Sequence, residues 1–159
     1  MGSWTFVTRD VDPDDGPREL FVASVSDLQE WPARLEDRPA NALFVAIERE
    51  PDVDAVWEFA TRVIEVGAFY VSCWGPGCEQ VHDIFDDVDI MLDIDAGREP
   101  AASVVMTTWH HDETLLDALR FWWVAAAPAE GKQWGPRFVA LSVGSAAHHE
   151  QLLRAARSL

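Results

Sequence analysis

Residues 72 to 82, SCWGPGCEQVH, place two thiols, an imidazole and an indole around a Gly-Pro-Gly turn. Three readings fit these residue types. Cys73, Cys78 and His82 match in kind a Cys2His set, which with an open fourth position is one catalytic zinc arrangement. The C-x4-C spacing lacks the tighter C-x2-C knuckle, however, so no resident metal or other cofactor is expected. Alternatively, Cys78 at a helix start has a depressed pKa and acts as a nucleophile, with His110 or His111 as its base. The third reading is structural: Cys73 packs at a strand end, residues 75–77 turn the chain, and Cys78 packs beneath the helix, as free cysteines commonly do. A disulfide is not expected in a reducing compartment.

The second chemistry-bearing stretch is TTWHHDE, residues 107–113. Asp112 has the residue type of a helix N-cap. His110 and His111 are adjacent and so point in different directions, which leaves at most one of them to face a ligand as a general base or metal ligand. His82, among acids, reads as a surface residue, and His148 and His149 as surface or first-turn packing. Two acidic stretches fail as calcium loops. In DVDPDDGPREL the glycine is one place late and Phe21 stands where the bidentate Glu belongs, and DIDAGREP lacks a third regularly spaced oxygen ligand. Neither GxGxxG nor a lysine-bearing phosphate loop occurs, and the sole lysine, Lys132, lies just before the last strand. Gly144-Ser145 is left as a pair of amides that an anion could use.

The elements that must position these groups read as an N-terminal hairpin followed by strand-helix units. TFVTRDV and ELFVASV flank the reversing loop DPDDGP, and a Pro-containing connector around EWPARLEDRP leads to the strand LFVAIE. Asp52 then caps a helix whose Val53, Val56, Trp57, Ala60, Val63 and Ile64 keep helical spacing and whose end is marked by Gly67. FYVSCW is the next strand. A helix starting near Cys78 carries Val81, Ile84, Phe85 and Val88 on one face, and the alternation in VDIMLDID predicts an extended segment over 88–94. ASVVMTTW, a helix from Glu113 to about Ala127, RFVALSV and a final helix from about Ser145 to Ser158 complete the chain. In the Trp-rich helix, Leu115, Leu119, Trp122 and Ala126, widened by Leu116 and Trp123, form a core stripe, while Phe121 on the polar side suits a subunit or partner contact.

Strands apolar on both faces and alternating with helices imply an α/β fold, with a mostly parallel sheet of about four core strands and helices on both faces in Rossmann-like or flavodoxin-like layering. The expectation is a single domain over 1–159, with 1–42 as hairpin and connector and 43–159 as the strand-helix core. In such sheets ligands bind beyond the carboxyl ends of the strands. The 73–78 loop, residues 48–50, 109–113 and 144–145 all fall there, with Trp74 and Trp109 expected at a shared concavity. A second Trp-Gly-Pro, at 134–136, precedes its strand and belongs to the opposite edge.

Charge narrows the partners. The 159-residue chain carries a net charge of -16, and residues 1–99 hold seven Arg and Lys against 23 acids while residues 100–159 hold five against five, so all of the excess lies in the first part. Between Glu79 and Asp95 there are seven acids and no Arg or Lys, which disfavours nucleic acid and attracts basic protein surfaces. No apolar run reaches membrane-spanning length and the start lacks the pattern of a secretory signal, so a cytoplasmic protein is expected. Abundant alanine with a single lysine suggests a GC-rich bacterial source.

SCWGPGCEQVHDIFDD together with MTTWHHDETLLDAL resembles a bacterial family of small uncharacterised domains with no assigned activity. The resemblance implies that these two loops belong together and carries over no catalytic role. The function expected is a protein-binding module of the immunity-factor type, docking a basic partner through Asp83, Asp86 and Asp87, with Trp74, Trp109 and Phe121 as aromatic contacts. The alternative is a thiol- or metal-dependent hydrolase using Cys73, Cys78, His110 and His111 at the carboxyl edge of the sheet.

Overall fold

The structure, a computed structural model, describes residues 4–12, 16–31, 39–100, 104–129 and 134–159. The hairpin turn at 13–15, most of the Pro-containing connector and Lys132 lie outside the described residues. The elements in chain order are β1 (Thr5–Asp12), β2 (Gly16–Val25), β3 (Ala42–Ile47), α1 (Val53–Glu65), β4 (Tyr70–Trp74), α2 (Cys78–Asp95), β5 (Met106–His110), α3 (Leu115–Ala125), β6 (Arg137–Val143) and α4 (Ala146–Ala156).

All six strands form one sheet in the order β1-β2-β6-β3-β4-β5. Only β1 runs antiparallel, as the hairpin partner of β2; the other neighbours pair in parallel. The last strand, β6, enters between β2 and β3, where its two ladders align Ser24 and Ala46 with Ser142. Every residue of β3 is buried, as is all of β6 after Arg137. This is why these segments are apolar runs without alternation: both faces of the sheet are covered.

One apolar cluster joins Leu43, Val45, Ile47, Val71 and Leu141 to Phe59 of α1 and Phe85 of α2, with Trp31 over the β2 side. The other joins Phe44, Tyr70, Phe138 and Ala140 to Trp122 of α3 and Leu152 of α4. Thus α1 and α2 cover one face, and α3 and α4 the other.

The helix ends follow local chemistry. Asp52 caps α1, its carboxylate accepting from the Ala55 amide at 3.1 Å. At the other end the amide of Gly67, at φ +101°, reaches Ile64 O and that of Ala68 reaches Val63 O, a Schellman termination that needs the left-handed conformation glycine supplies. The expected Asp112 cap of α3 is corrected to Thr114. Its hydroxyl accepts from the Asp117 amide at 3.2 Å, whereas Asp112 stands too early, exposed, with Oδ2 3.2 Å from His111. The helix accordingly starts at Leu115 rather than Glu113.

The extended segment expected over 88–94 is also corrected, since α2 runs unbroken from Cys78 to Asp95. The alternation of Val88, Ile90, Leu92 and Ile94 samples different sides of one helix: Val88 is in the core, Leu92 is half-buried, and Ile90 and Ile94 are exposed. The spacing that governs is polar instead. His82, Asp86, Asp89 and Asp93 recur at i, i+4, i+7 and i+11 and form a stripe of their own.

Two substitutions test these local constraints by urea unfolding at unchanged m-value. Asp52→Ala should lower stability by about 1 kcal/mol through loss of the cap. Gly75→Ala should cost on the order of 1–3 kcal/mol, because φ there is +103° and an added Cβ would strike the carbonyl oxygen of Ile47.

Candidate functional site

Four strand-to-helix junctions lie along the carboxyl edge of the parallel strands, and the three-residue β4–α2 turn carries the thiols. Cys73 is 1% exposed and Cys78 2% exposed, both within the cluster beneath α1 and α2. Between them Gly75 passes against the backbone of Ile47, and Gly77, at φ +76°, passes against Glu50, so the turn is fixed by its contact with the end of β3. Burial pushes the Cys73 thiol far above its ordinary range, helped by Cys78 and Asp86. Burial also raises Cys78, although the amides of His110, Glu79 and Cys78 itself act in the opposite direction. Both sulfurs therefore sit as protonated thiols at neutral pH, the reverse of what a nucleophile needs. Among the described residues no group of three or more His, Cys, Asp and Glu side chains is arranged to hold a metal ion.

The 109–113 loop meets the 73–78 loop on this edge. The Trp74 Nε1 donates to Glu113 O at 2.9 Å, and an open cleft of about 620 Å³ is lined by Trp74, Pro76, Cys78, Glu79, Gln80 and His111, so it brings the edge of Cys78 and His111 to one place. Trp109 does not share that cleft. Along β5 the side chains alternate, so His110 stands beside Trp74 on the face of α3, while Trp109 stands beside Cys73 on the face of α2. There its ring lies 4.4 Å from that of His82. The two histidines diverge as their adjacency requires. His111 is exposed, whereas His110 is 7% exposed, with Nδ1 3.2 Å from Glu113 Oε1 and its ring 5.0 Å from Phe121. Its Nε2 is enclosed without a hydrogen-bond partner. Phe121, expected on the polar side, is largely exposed and covers His110.

The acids of α2 divide by direction. On the stripe facing the edge strand, Asp86 Oδ1 accepts from the Thr107 hydroxyl at 2.6 Å, Asp89 Oδ2 from the Val105 amide at 2.9 Å, and buried Asp93 from Arg98 Nε at 2.8 Å. Part of the charge read from the sequence as a free surface is therefore structural. The outward side carries Glu79, Asp83 and Asp87 on its first half and Ile90 and Ile94, 46% and 57% exposed, on its second. His82 closes the group, with Nδ1 2.9 Å from Asp83 and Nε2 3.6 Å from Asp86.

The arrangement of helices marks one more place. The helix following β3 goes to one face and the helix following β6 to the other, so the topological switch point falls between these adjacent strands. A crevice of about 430 Å³ lies there, lined by Ser26–Gln29, Arg49–Asp52 and Gly144. The amides proposed at Gly144-Ser145 are already used: the Ser145 amide and hydroxyl both donate to the carboxylate of Glu48, and those bonds hold the Glu48 carboxyl below its ordinary pKa. His148 packs in the first turn of α4, its Nε2 3.1 Å from Ala46 O and its ring stacked on Trp74. Sequence reading placed residues 48–50 and 144–145 on this edge but missed the 26–29 wall, because the connector that supplies it has no periodic signal.

Fold and edge together define a small α/β domain with several shallow clefts and buried thiols. The model of a domain of unknown function (DUF7684) matches residues 20–158, and the chain belongs to that family. The match begins within β2, so β1 precedes it. No curated protein matches the chain significantly. No described helix is long and apolar enough to cross a membrane.

Two measurements check these assignments. Both cysteines should react with a thiol reagent on the order of a hundredfold more slowly in the folded than in the urea-unfolded protein. The Glu48 carboxyl, with its folded pKa below the unfolded value, adds stability above the ordinary range near 4.5 and loses it as pH falls through the lower folded value. Glu48→Gln should therefore be less stable than the parent at neutral pH and converge with it once the pH has fallen below the lowered folded value, as read by urea midpoints.

Proposed function

We propose that this domain is a docking module for a basic protein partner and that the outward side of α2 is its recognition surface. The observation that carries the reading is the composition of that helix: eighteen residues with no Lys or Arg, presenting Glu79, Asp83 and Asp87 and then exposed Ile90 and Ile94. An exposed apolar patch rimmed by charge of one sign is the usual character of an interaction site. The acids supply long-range attraction and orientation, and the isoleucines supply the short-range contact that slows dissociation. The immunity-factor comparison belongs to this reading, as does a cytoplasmic setting, which two unpaired cysteines suit.

The thiol- or metal-dependent hydrolase reading has less support. Both thiols are protonated and enclosed, and the described His, Cys, Asp and Glu residues offer no metal-holding group. His110 with Glu113 has the pairing of an oriented base, but Phe121 stands over the ring.

The test is kinetic, using immobilised protein and a basic protein captured from lysate. Asp83→Asn with Asp87→Asn should slow association by about tenfold at low salt, and the difference should shrink as the Debye length falls from about 10 Å at 0.1 M to about 3 Å at 1 M salt. Ile90→Ser with Ile94→Ser should instead raise the dissociation rate. Capture indifferent to salt and to both pairs of substitutions would refute the reading.

A further inference from the structure

The docking reading leaves open how a partner is held, and the unpaired side of β5 answers this. β5 ends the sheet, and among the described residues nothing pairs with its outer side. The Met106 amide donates inward to Phe69 O, so in a parallel ladder the amides of residues 106, 108 and 110 point at β4 while those of Thr107 and Trp109 point outward. Edge strands are commonly blunted by lysine, proline or a covering loop. The sequence MTTWH has neither lysine nor proline, and beside it the Val105 amide is taken by Asp89.

We infer that the basic partner adds an extended segment beside β5 as a seventh strand; this rests on the docking reading above. The two sides of such a strand would meet different chemistry. Toward α2 they meet Asp86, on a helix that itself carries no Arg or Lys, together with Trp109. Toward α3 they meet exposed Met106 and Phe121. A strand alternating Lys or Arg with apolar residues matches both sides, because its side chains alternate with the same period of two. Charge also selects against a second copy of this chain. Antiparallel pairing of two β5 edges would bring the partner's α2 onto the same face, carboxylates opposing carboxylates, in a molecule of net charge -16.

The probe is an acetylated, amidated (Lys-Val)4 peptide added to the full chain, with (Glu-Val)4 as control, followed by amide hydrogen exchange and NMR shifts. At saturating Lys peptide, exchange at Thr107 and Trp109 should slow by about tenfold or more, and the Glu peptide should change nothing. Thr107→Pro removes an outward donor that the β4 ladder does not use, and with it the hydroxyl bound to Asp86, so it should weaken the complex while unchanged NMR shifts of β4 show that the sheet persists. Asp86→Asn gives a second variant that keeps the backbone and should weaken only the Lys peptide. Binding that perturbs Asp83, Asp87, Ile90 and Ile94 but leaves the Thr107 and Trp109 amides unprotected would overturn the added strand and leave the docking reading standing. A basic protein captured through α2 while the peptide fails to bind would do the same. Failure of every basic probe to bind would overturn both.

Discussion

The structure depends on one insertion: β6, the last strand in the chain, fits between β2 and β3, which are themselves separated by a long connector. Until β6 arrives, neither neighbour has its second ladder, and the residues that flank it, Val22 and Ala23 on one side and Phe44 and Val45 on the other, have no complete core. The insertion also divides the helices between the two faces of the sheet. Helices from β3 and β4 cover one face, helices from β5 and β6 the other, and the reversal between β3 and β6 opens the crevice near Arg49 and Gly144. It leaves β5 at one border of the sheet and β1 at the other. That β1 precedes the family match fits its position as an antiparallel addition to a parallel sheet that is already complete in its order.

Where burial is uniform, the fold was legible in the amino-acid sequence. β3 and β6 are buried throughout and read as unbroken apolar runs, and α1 is amphipathic with Asp52 and Gly67 at its ends, so pattern and punctuation agree. α2 misled because it has three environments rather than two. A core stripe, a carboxylate stripe toward β5 and a mixed outward stripe superimpose into a sequence that mimics strand alternation over its second half. The cap of α3 misled for a smaller reason, since HisHisAspGluThr contains two residues able to cap, and Asp117 three places after Thr114 decides between them by accepting from the Thr114 hydroxyl.

The site was legible by position more than by chemistry. The loops that carry Cys73, Cys78 and His110 do converge on the carboxyl edge, as a parallel sheet demands. What sequence could not supply is which way each side chain leaves the backbone. A single register step separates Trp74 and His110 from Cys73 and Trp109, and that step distributes the two tryptophans to opposite faces. Burial, equally invisible in residue type, turns the thiols from candidate nucleophiles into core atoms. Likewise an aspartate reads the same whether it is solvated like Asp83 or anchors an edge strand like Asp89.

That dual use of carboxylates bears on why α2 can hold so many. A charge placed against an edge strand is costly unless hydrogen bonds satisfy it, and Thr107, the Val105 amide and Arg98 provide those bonds. Arg98 offsets the charge of Asp93, whereas at Asp86 and Asp89 the hydroxyl of Thr107 and the amide of Val105 donate without neutralising. The edge of the sheet is thus tied to α2 by the same groups that give it a negative field. A neutral clamp, such as asparagine at 86 and 89, could hold β5 comparably well and would carry no selectivity among approaching strands. Retaining the carboxylates ties the border of the sheet to α2 and sets a negative field beside it, and the proposed docking of a cationic strand depends on that field.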